Sequence, residues 1–440
     1  MTFQFRCAAL ALGGAVLIAA PAAGQDAAPQ APTDAQAIRQ AIDDLKKDFD
    51  ARLSALEQRL SAVENVKKNA QPAPAAAPAQ QPEPAAPPPQ PQTTAGATGS
   101  SVTNAKVFNP DIAVIGDFLG AVGKPNTDPA NGLLPLPLFE MHESEAAFQA
   151  VVDPYARADF FISFGEEGVD LEEGFVTFTE LPGGLLTKVG KFRAAFGKVN
   201  TLHNHVLPWT DRPLVTNNLV AGEDGIDNAG ISVARLIPNP WFFLEATGQV
   251  FRGDSGDVQS PLFTSTQRSH FMYVGHLRGY QDVSESTNVD LGVSVAHGFN
   301  ASGVPVGIND FTTRLFGVDA TVRWKPLQRS IYHSFVGRSE VIWSRREQPT
   351  GVQNASGFYV SGEYQFARRW FAGVRLDGSD RPANEQLHDS GWSGVLTYWP
   401  SEFSQVRGQY RFTDWAIGPA ANEFLFQVQF SIGAHGAHPF

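Results

Sequence analysis

Beyond about residue 107 the chain alternates apolar and polar residues one by one. Near its end Phe424, Phe426, Val428, Phe430 and Ile432 alternate with Leu425, Gln427, Gln429, Ser431 and Gly433. Period two marks a strand, and one apolar row opposite a small or polar row suits a strand between hydrocarbon and water. The same pattern sets Val406, Gly408, Tyr410 and Phe412 against Gln405, Arg407, Gln409 and Arg411. It also sets Phe358, Val360, Gly362, Tyr364 and Phe366 against Tyr359, Ser361, Glu363 and Gln365. The charged members must face water, so the polar row is predicted to line a lumen and the apolar row to meet lipid. Short breaks fall at 153–154, 181–184, 237–240, 284–287, 326–330, 367–369 and 400–403. Between them lie longer or more polar connections at 123–137, 165–168, 198–224, 253–269, 300–310, 347–354, 379–389 and 416–421. Short turns alternating with longer loops predict an all-β fold, a transmembrane antiparallel β-barrel of about sixteen strands over 107–440, with both barrel ends on one side. The alternative, a soluble β-sandwich, would turn its apolar faces inward. Trp241, Trp324, Trp370 and Trp399 beside short turns fit an interfacial girdle instead.

The residues ahead of the barrel set the compartment. Arg6 precedes an apolar run over 8–20, and Ala22, Ala23 and Gly24 follow it, which predicts a secretory signal over 1–24. The single cysteine, Cys7, lies before that run and is not placed as a lipid anchor. Residues 34–68 space Ile38, Ile42, Leu45, Phe49, Leu53, Leu56, Leu60 and Val63 at steps of four and three, predicting a periplasmic coiled-coil helix with a stutter at Phe49. A solitary amphipathic helix lying on the barrel or the cell wall is the other reading. Residues 69–101 are rich in Ala, Pro and Gln and form an extended spacer, with a reach on the order of 100 Å at polyproline rise. No later run of eighteen apolar residues allows a helical span, so membrane entry requires a closed barrel. The expected location is the outer membrane of a Gram-negative bacterium. A net charge of -12 argues against a nucleic-acid partner.

Inward positions predicted from the alternation include Arg157, Lys191, Arg193, Arg323, Arg375, Arg407 and Arg411, with Asp159, Asp319 and Glu363 among them. Such a lumen either guides anions along a basic strip or braces its wall by pairing opposite charges across strands. The longest connection contains Leu202, Val206, Leu207, Trp209 and Leu214, too apolar for a solvated loop, so it is predicted to fold into the barrel and narrow it. His203, His205, Trp209, Asp211 and Arg212 would then line or prop a constriction. His203-x-His205 is also a weak metal signal, for zinc or copper, with Asp211 or Glu223 available to complete a set; structural hydrogen bonding is the plainer reading. No catalytic constellation emerges, and no enzyme activity or obligate cofactor is predicted.

Val189-Gly190-Lys191-Phe192 followed by Phe196-Gly197 resembles the Gly-x-aromatic strand and following loop of the broad phosphate-selective porin superfamily. The resemblance implies a sixteen-stranded trimeric porin whose long third loop enters the pore. Segments 202–214 and 430–440 are similar to a poorly characterised outer-membrane family sometimes labelled zinc-regulated TonB-dependent outer membrane receptors. The barrel zone is too short for the twenty-two strands of a true receptor of that kind, and no plug domain is present. The leading expectation is a porin-like channel for passive diffusion of small hydrophilic solutes. Metal-linked uptake and an envelope tether anchored by the barrel are the alternatives. Expected partners are outer-membrane lipid, the barrel assembly machinery engaging the terminal Phe440, two further copies in a homotrimer, and peptidoglycan through the coiled coil.

Overall fold

A computed structural model describes residues 47, 110–131, 135–166, 168–256, 262–300 and 311–433. The signal over 1–24, the coiled coil over 34–68 apart from the single helical residue Lys47, the spacer over 69–101 and the tail over 434–440 lie outside the described residues.

Among the described residues the alternating zone forms sixteen antiparallel strands. In chain order they are β1 (Asp111–Lys124), β2 (Glu140–Met141 continued by Ser144–Asp153), β3 (Ala156–Gly165), β4 (Gly168–Leu181), β5 (Leu185–Arg193) and β6 (Asp227–Leu236). They continue as β7 (Phe243–Arg252), β8 (Phe271–Ser284), β9 (Thr287–Asn300), β10 (Phe311–Trp324) and β11 (Ser334–Gln348). The last five are β12 (Gly351–Ala367), β13 (Trp370–Arg381), β14 (Asn384–Ser401), β15 (Ser404–Asp414) and β16 (Ala421–Gly433). Each strand pairs with its sequence neighbours. The first and last strands pair too, from Ala113 opposite Gly433 to Lys124 opposite Asn422. That seam closes the sheet, and none of the described strands is left with an unpaired edge.

Two apolar environments coexist in the barrel. On the outside, Val428 and Phe424 are 45% and 46% exposed, and Phe316, Val318, Phe358 and Val360 lie open in the same way. Between them, Gln427 and Gln429 turn inward and are buried. Trp241 stands exposed beside the short turn after β6, and Trp370 opens β13 at the same end. Inside, Leu315, Ile342, Met272 and Phe251 interrupt the polar row and are buried, because the segment 194–226 packs upon them.

Three connections are shorter than the sequence pattern suggested. Only residues 166–167 separate β3 from β4, 349–350 separate β11 from β12, and 382–383 separate β13 from β14. Their polar flanks, such as Asn354 and Asp389, belong to strands that run on past the apolar belt, where the alternation loses its contrast.

Two local irregularities shape the lumen wall. On β4, Glu173 faces Phe161 and Leu171 faces Ile162, leaving Glu172 as the extra residue of a bulge. A bulge reverses side-chain parity, so the consecutive Glu172 and Glu173 both reach inward. On β2 the pairing to β1 slips by one residue between Met141 opposite Phe118 and Glu145 opposite Ile115, at His142 and Glu143. Nearby, Gly190 adopts φ +144, and a Cβ there would lie 2.2 Å from the Gly174 carbonyl oxygen. Only glycine permits that conformation and approach.

Candidate functional site

Residues 194–226, between β5 and β6, form the most elaborate structure in the lumen. Asn200 joins the two ends of this loop: its side-chain amide donates to the carbonyls of Ala194 (2.9 Å) and Ile226 (3.1 Å), and its Oδ1 accepts from the Ile226 amide at 2.7 Å. Gly197 has φ +60 and a Cβ there would meet Glu340 Oε1, so the chain can pass over that carboxylate. Glu340 in turn accepts from the amides of Lys198 (2.5 Å) and Val199 (3.3 Å). Phe196, Val199, Leu207, Trp209, Val215 and Leu219 bury themselves against Phe251, Met272, Leu315 and Tyr359 of the wall. The loop thus carries its own apolar core into a polar tube. Val206 differs and stays 47% exposed.

The far side of the loop is held by charge. Asp211 accepts from Arg375 Nη2 at 3.0 and 3.1 Å, from Arg411 Nη1 at 2.9 Å and from Gln409 Nε2 at 2.5 Å. Arg375 also bonds Asp377 at 2.7 Å and lies 4.9 Å from the centre of the Trp209 ring, while Arg411 bonds Glu423 at 2.6 Å. Burial opposes ionisation of Asp211, but the two guanidinium groups outweigh it and hold its carboxyl below the ordinary value. Arg407 donates to the Trp209 carbonyl at 3.0 Å, Gln409 accepts from the Thr210 amide at 3.0 Å, and Gln429 donates to the His205 carbonyl at 3.0 Å. Arg212 works within the loop, bonding Asn204 Oδ1 and the carbonyls of Val199 and Leu202. Burial and the neighbouring Arg193 charge bring its pKa down to about 10, still charged at neutral pH.

His203 and His205 occupy the near side. His203 Nδ1 hydrogen bonds Glu145 and lies 3.1 Å from Glu172 Oε2, while its Nε2 is 2.9 Å from Glu173 Oε2. Burial disfavours a charge on this ring, but the carboxylates of Glu145, Glu172 and Glu173 outweigh it and hold the imidazole well above its ordinary value. His205 Nδ1 is 3.8 Å from Glu145 Oε2, and the two imidazole rings meet edge to face at 5.7 Å.

The expected metal set changes accordingly. Asp211 is clamped by arginines on the other side of the loop, and Glu223 lies 3.8 Å from His142. Glu145 takes the position beside both histidines. Glu145 and Glu172 are the residues that sequence reasoning missed. The doublet Glu172-Glu173, which breaks strict alternation, was the available signal for a bulge.

The expected lumen residues divide into two groups. Arg193, Arg375 and Arg407 are buried, and Arg193 Nη2 meets Glu172 Oε1 at 2.5 Å. Asp319 is buried opposite Glu340 across β10 and β11, and Glu363 lies within electrostatic reach of Arg407. Closer to water are Arg157, paired with Asp159 at 2.9 Å, Lys191, 3.4 Å from both Asp170 and Asp227, and Arg323, 3.8 Å from Asp290.

No protein-family model matches the chain. An uncharacterized protein of Aquifex aeolicus is 29% identical over 400 residues, covering 78% of this chain and 83% of the relative. Among solved structures, OprB of Pseudomonas putida aligns with a TM-score of 0.52 at 10% identity, over 75% of this chain and 95% of OprB. The anion-selective porin of Comamonas acidovorans aligns at 0.51 and 12% identity, over 74% and 99%. At such identities the likeness is one of fold: a closed porin-type barrel.

Proposed function

We propose that this chain is an outer-membrane, porin-like channel for passive diffusion of small hydrophilic solutes, with the 194–226 loop as its constriction. One observation carries the reading: a closed barrel, apolar outside, holds a long loop fastened across its polar interior. An apolar outer belt of this extent is tolerated only in lipid. A loop buried within the wall narrows the passage without needing a separate plug domain.

The basic residues favour weak charge preference over strong anion selection. Arg157, Arg193, Arg375 and Arg411 each have a carboxylate partner at 3.0 Å or less. Paired charges brace a wall and contribute little net field. Membership of the phosphate-selective porin superfamily and a homotrimeric assembly belong to the same proposal, supported by the Gly190 motif and the sixteen-stranded closure. Metal-linked uptake draws support from the histidine cluster, but its burial suits a held ion better than a transported one.

Purified protein added to a planar bilayer is expected to give stepwise conductance increments. Silence under conditions where a control porin conducts would reject the channel.

A further inference from the structure

We propose that Glu145, His203 and His205, closed by Glu172, form a resident binding site for a divalent transition ion such as Zn²⁺ that fastens the lumen loop to the barrel wall. The donor atoms of the first three residues lie within 4.8 Å of one another, and all three residues are buried. Ligands about 2.0–2.2 Å from a tetrahedral zinc stand roughly 3.3 Å apart. The separations of 3.8 Å from His205 Nδ1 to Glu145 Oε2 and 3.1 Å from His203 Nδ1 to Glu172 Oε2 lie either side of that value, while His203 Nδ1 and Glu145 Oε2 are in direct hydrogen-bond contact and move apart to admit the ion.

A second observation points to the same ion. Glu172 is buried, its Oε1 is held by Arg193, and its Oε2 is turned toward His203 at 3.1 Å, beside the carboxyls of Glu143 and Glu145, without a hydrogen bond of ordinary geometry. His203 Nδ1 faces oxygens of both Glu145 and Glu172, yet this nitrogen carries at most one proton. An ion in that position satisfies both oxygens at once. The opposite nitrogen, Nε2, has Glu173 Oε2 at 2.9 Å, the outer-shell carboxylate that orients a metal-bound imidazole. A polar recess of about 250 Å³ borders Glu172 and Arg193 on one side of the cluster. The ligands come from β2, β4 and the loop, so the ion cross-links the loop to two strands.

The inference is independent of solute passage and its test does not read conductance. Full-length protein in detergent is stripped with a chelator and titrated with Zn²⁺ against a chromophoric competitor, with bound metal counted by mass spectrometry. One Zn²⁺ per chain is expected, with Co²⁺ giving the intense visible absorption of a four-coordinate site. The double variant Glu145→Gln/His205→Gln should lose both. Glu173→Gln, which keeps every ligand, should weaken binding about 10–100-fold. Replacing His435 and His438, the two histidines of the tail that lies outside the described residues, by Ala should change neither. Absence of stoichiometric zinc in the wild-type chain overturns the site, as does equal zinc in the wild type and a folded double variant. If the double variant does not fold, unchanged affinity in Glu173→Gln counts against the site instead.

Discussion

The Asp211 clamp gives the sharpest prediction about the loop. Asp211→Asn keeps shape and one acceptor but leaves Arg375 and Arg411 facing a neutral amide. Three donors reach the carboxylate, from Arg375, Arg411 and Gln409. At about 1.5–3 kcal/mol for each charge-assisted bond, simple addition gives roughly 5–9 kcal/mol. That sum is too large, because Arg375 keeps Asp377 and Arg411 keeps Glu423. Breaking one partner of a buried ion pair costs about 3–5 kcal/mol, which is the expected loss here. At 1.4 kcal/mol per tenfold, loop docking weakens by about two to three and a half powers of ten. Hydrogen exchange reads this directly, since the Thr210 and Leu214 amides are bonded to Gln409 and Asp377. Their protection should fall by that factor while amides of the β11–β12 pairing keep theirs. In bilayers the variant should show larger or flickering openings. Unchanged protection at Thr210 and Leu214 in a folded variant would refute the reasoning, whatever the conductance.

Other expectations arise from the clamp and its neighbours. Asp211 has a carboxyl held below the ordinary 3.8, so its contribution is present above the unfolded value and lost as pH falls through the depressed one. Loop protection is therefore expected to be flat from neutral pH to about pH 4, and a loss between pH 7 and pH 5 would contradict the assignment. Gly190→Ala forces a residue with φ +144 against the Gly174 carbonyl and should cost at least about 1–3 kcal/mol in urea unfolding from liposomes. An unaltered midpoint would show that β4 and β5 can separate freely. Arg323, with a side chain 38% exposed, should shift the reversal potential in a salt gradient when changed to Gln. Buried Arg407, changed likewise, should leave that potential in place and lower thermal stability, because the Trp209 carbonyl loses its donor.

The barrel was legible in the sequence because the boundary between lipid and water imposes period two on each strand separately. Val428 against Gln429, or Val406 against Arg407, needs no knowledge of the partner strand. Turn lengths were less legible where strands leave the hydrocarbon. Beyond it, residues such as Asn354 and Asp380 sit in regular pairing but look like loop. The loop announced itself through Leu207, Trp209 and Leu214, apolar residues in a segment otherwise expected to be wet. Its partners did not. Asp211 meets Arg375 and Arg411 across long sequence separations, and nothing local marks which arginine faces it. Glu172 was hidden for a different reason, since the bulge that turns it inward inverts the parity used to assign faces.

The anchors of the loop have a consequence for the order of assembly. Its root is fixed by Asn200 and the nearby β7 and β9, whose Gln249 accepts from the Ala195 amide and whose Ser294 accepts from the Gly197 amide. Its far side depends on Arg375, Asp377, Arg407, Gln409, Arg411 and Gln429, all on the last strands to be synthesised. Contacts of such high order form late, after the intervening chain has paid its closure entropy. The far side of the loop therefore cannot dock until β13, β15 and β16 are in place, and β16 is also the strand that seals against β1. A nascent chain must pass through a stage with an unsealed seam and an incompletely docked loop, and the bond from Gln429 to the His205 carbonyl, made by the sealing strand itself, ties the last step of docking to closure.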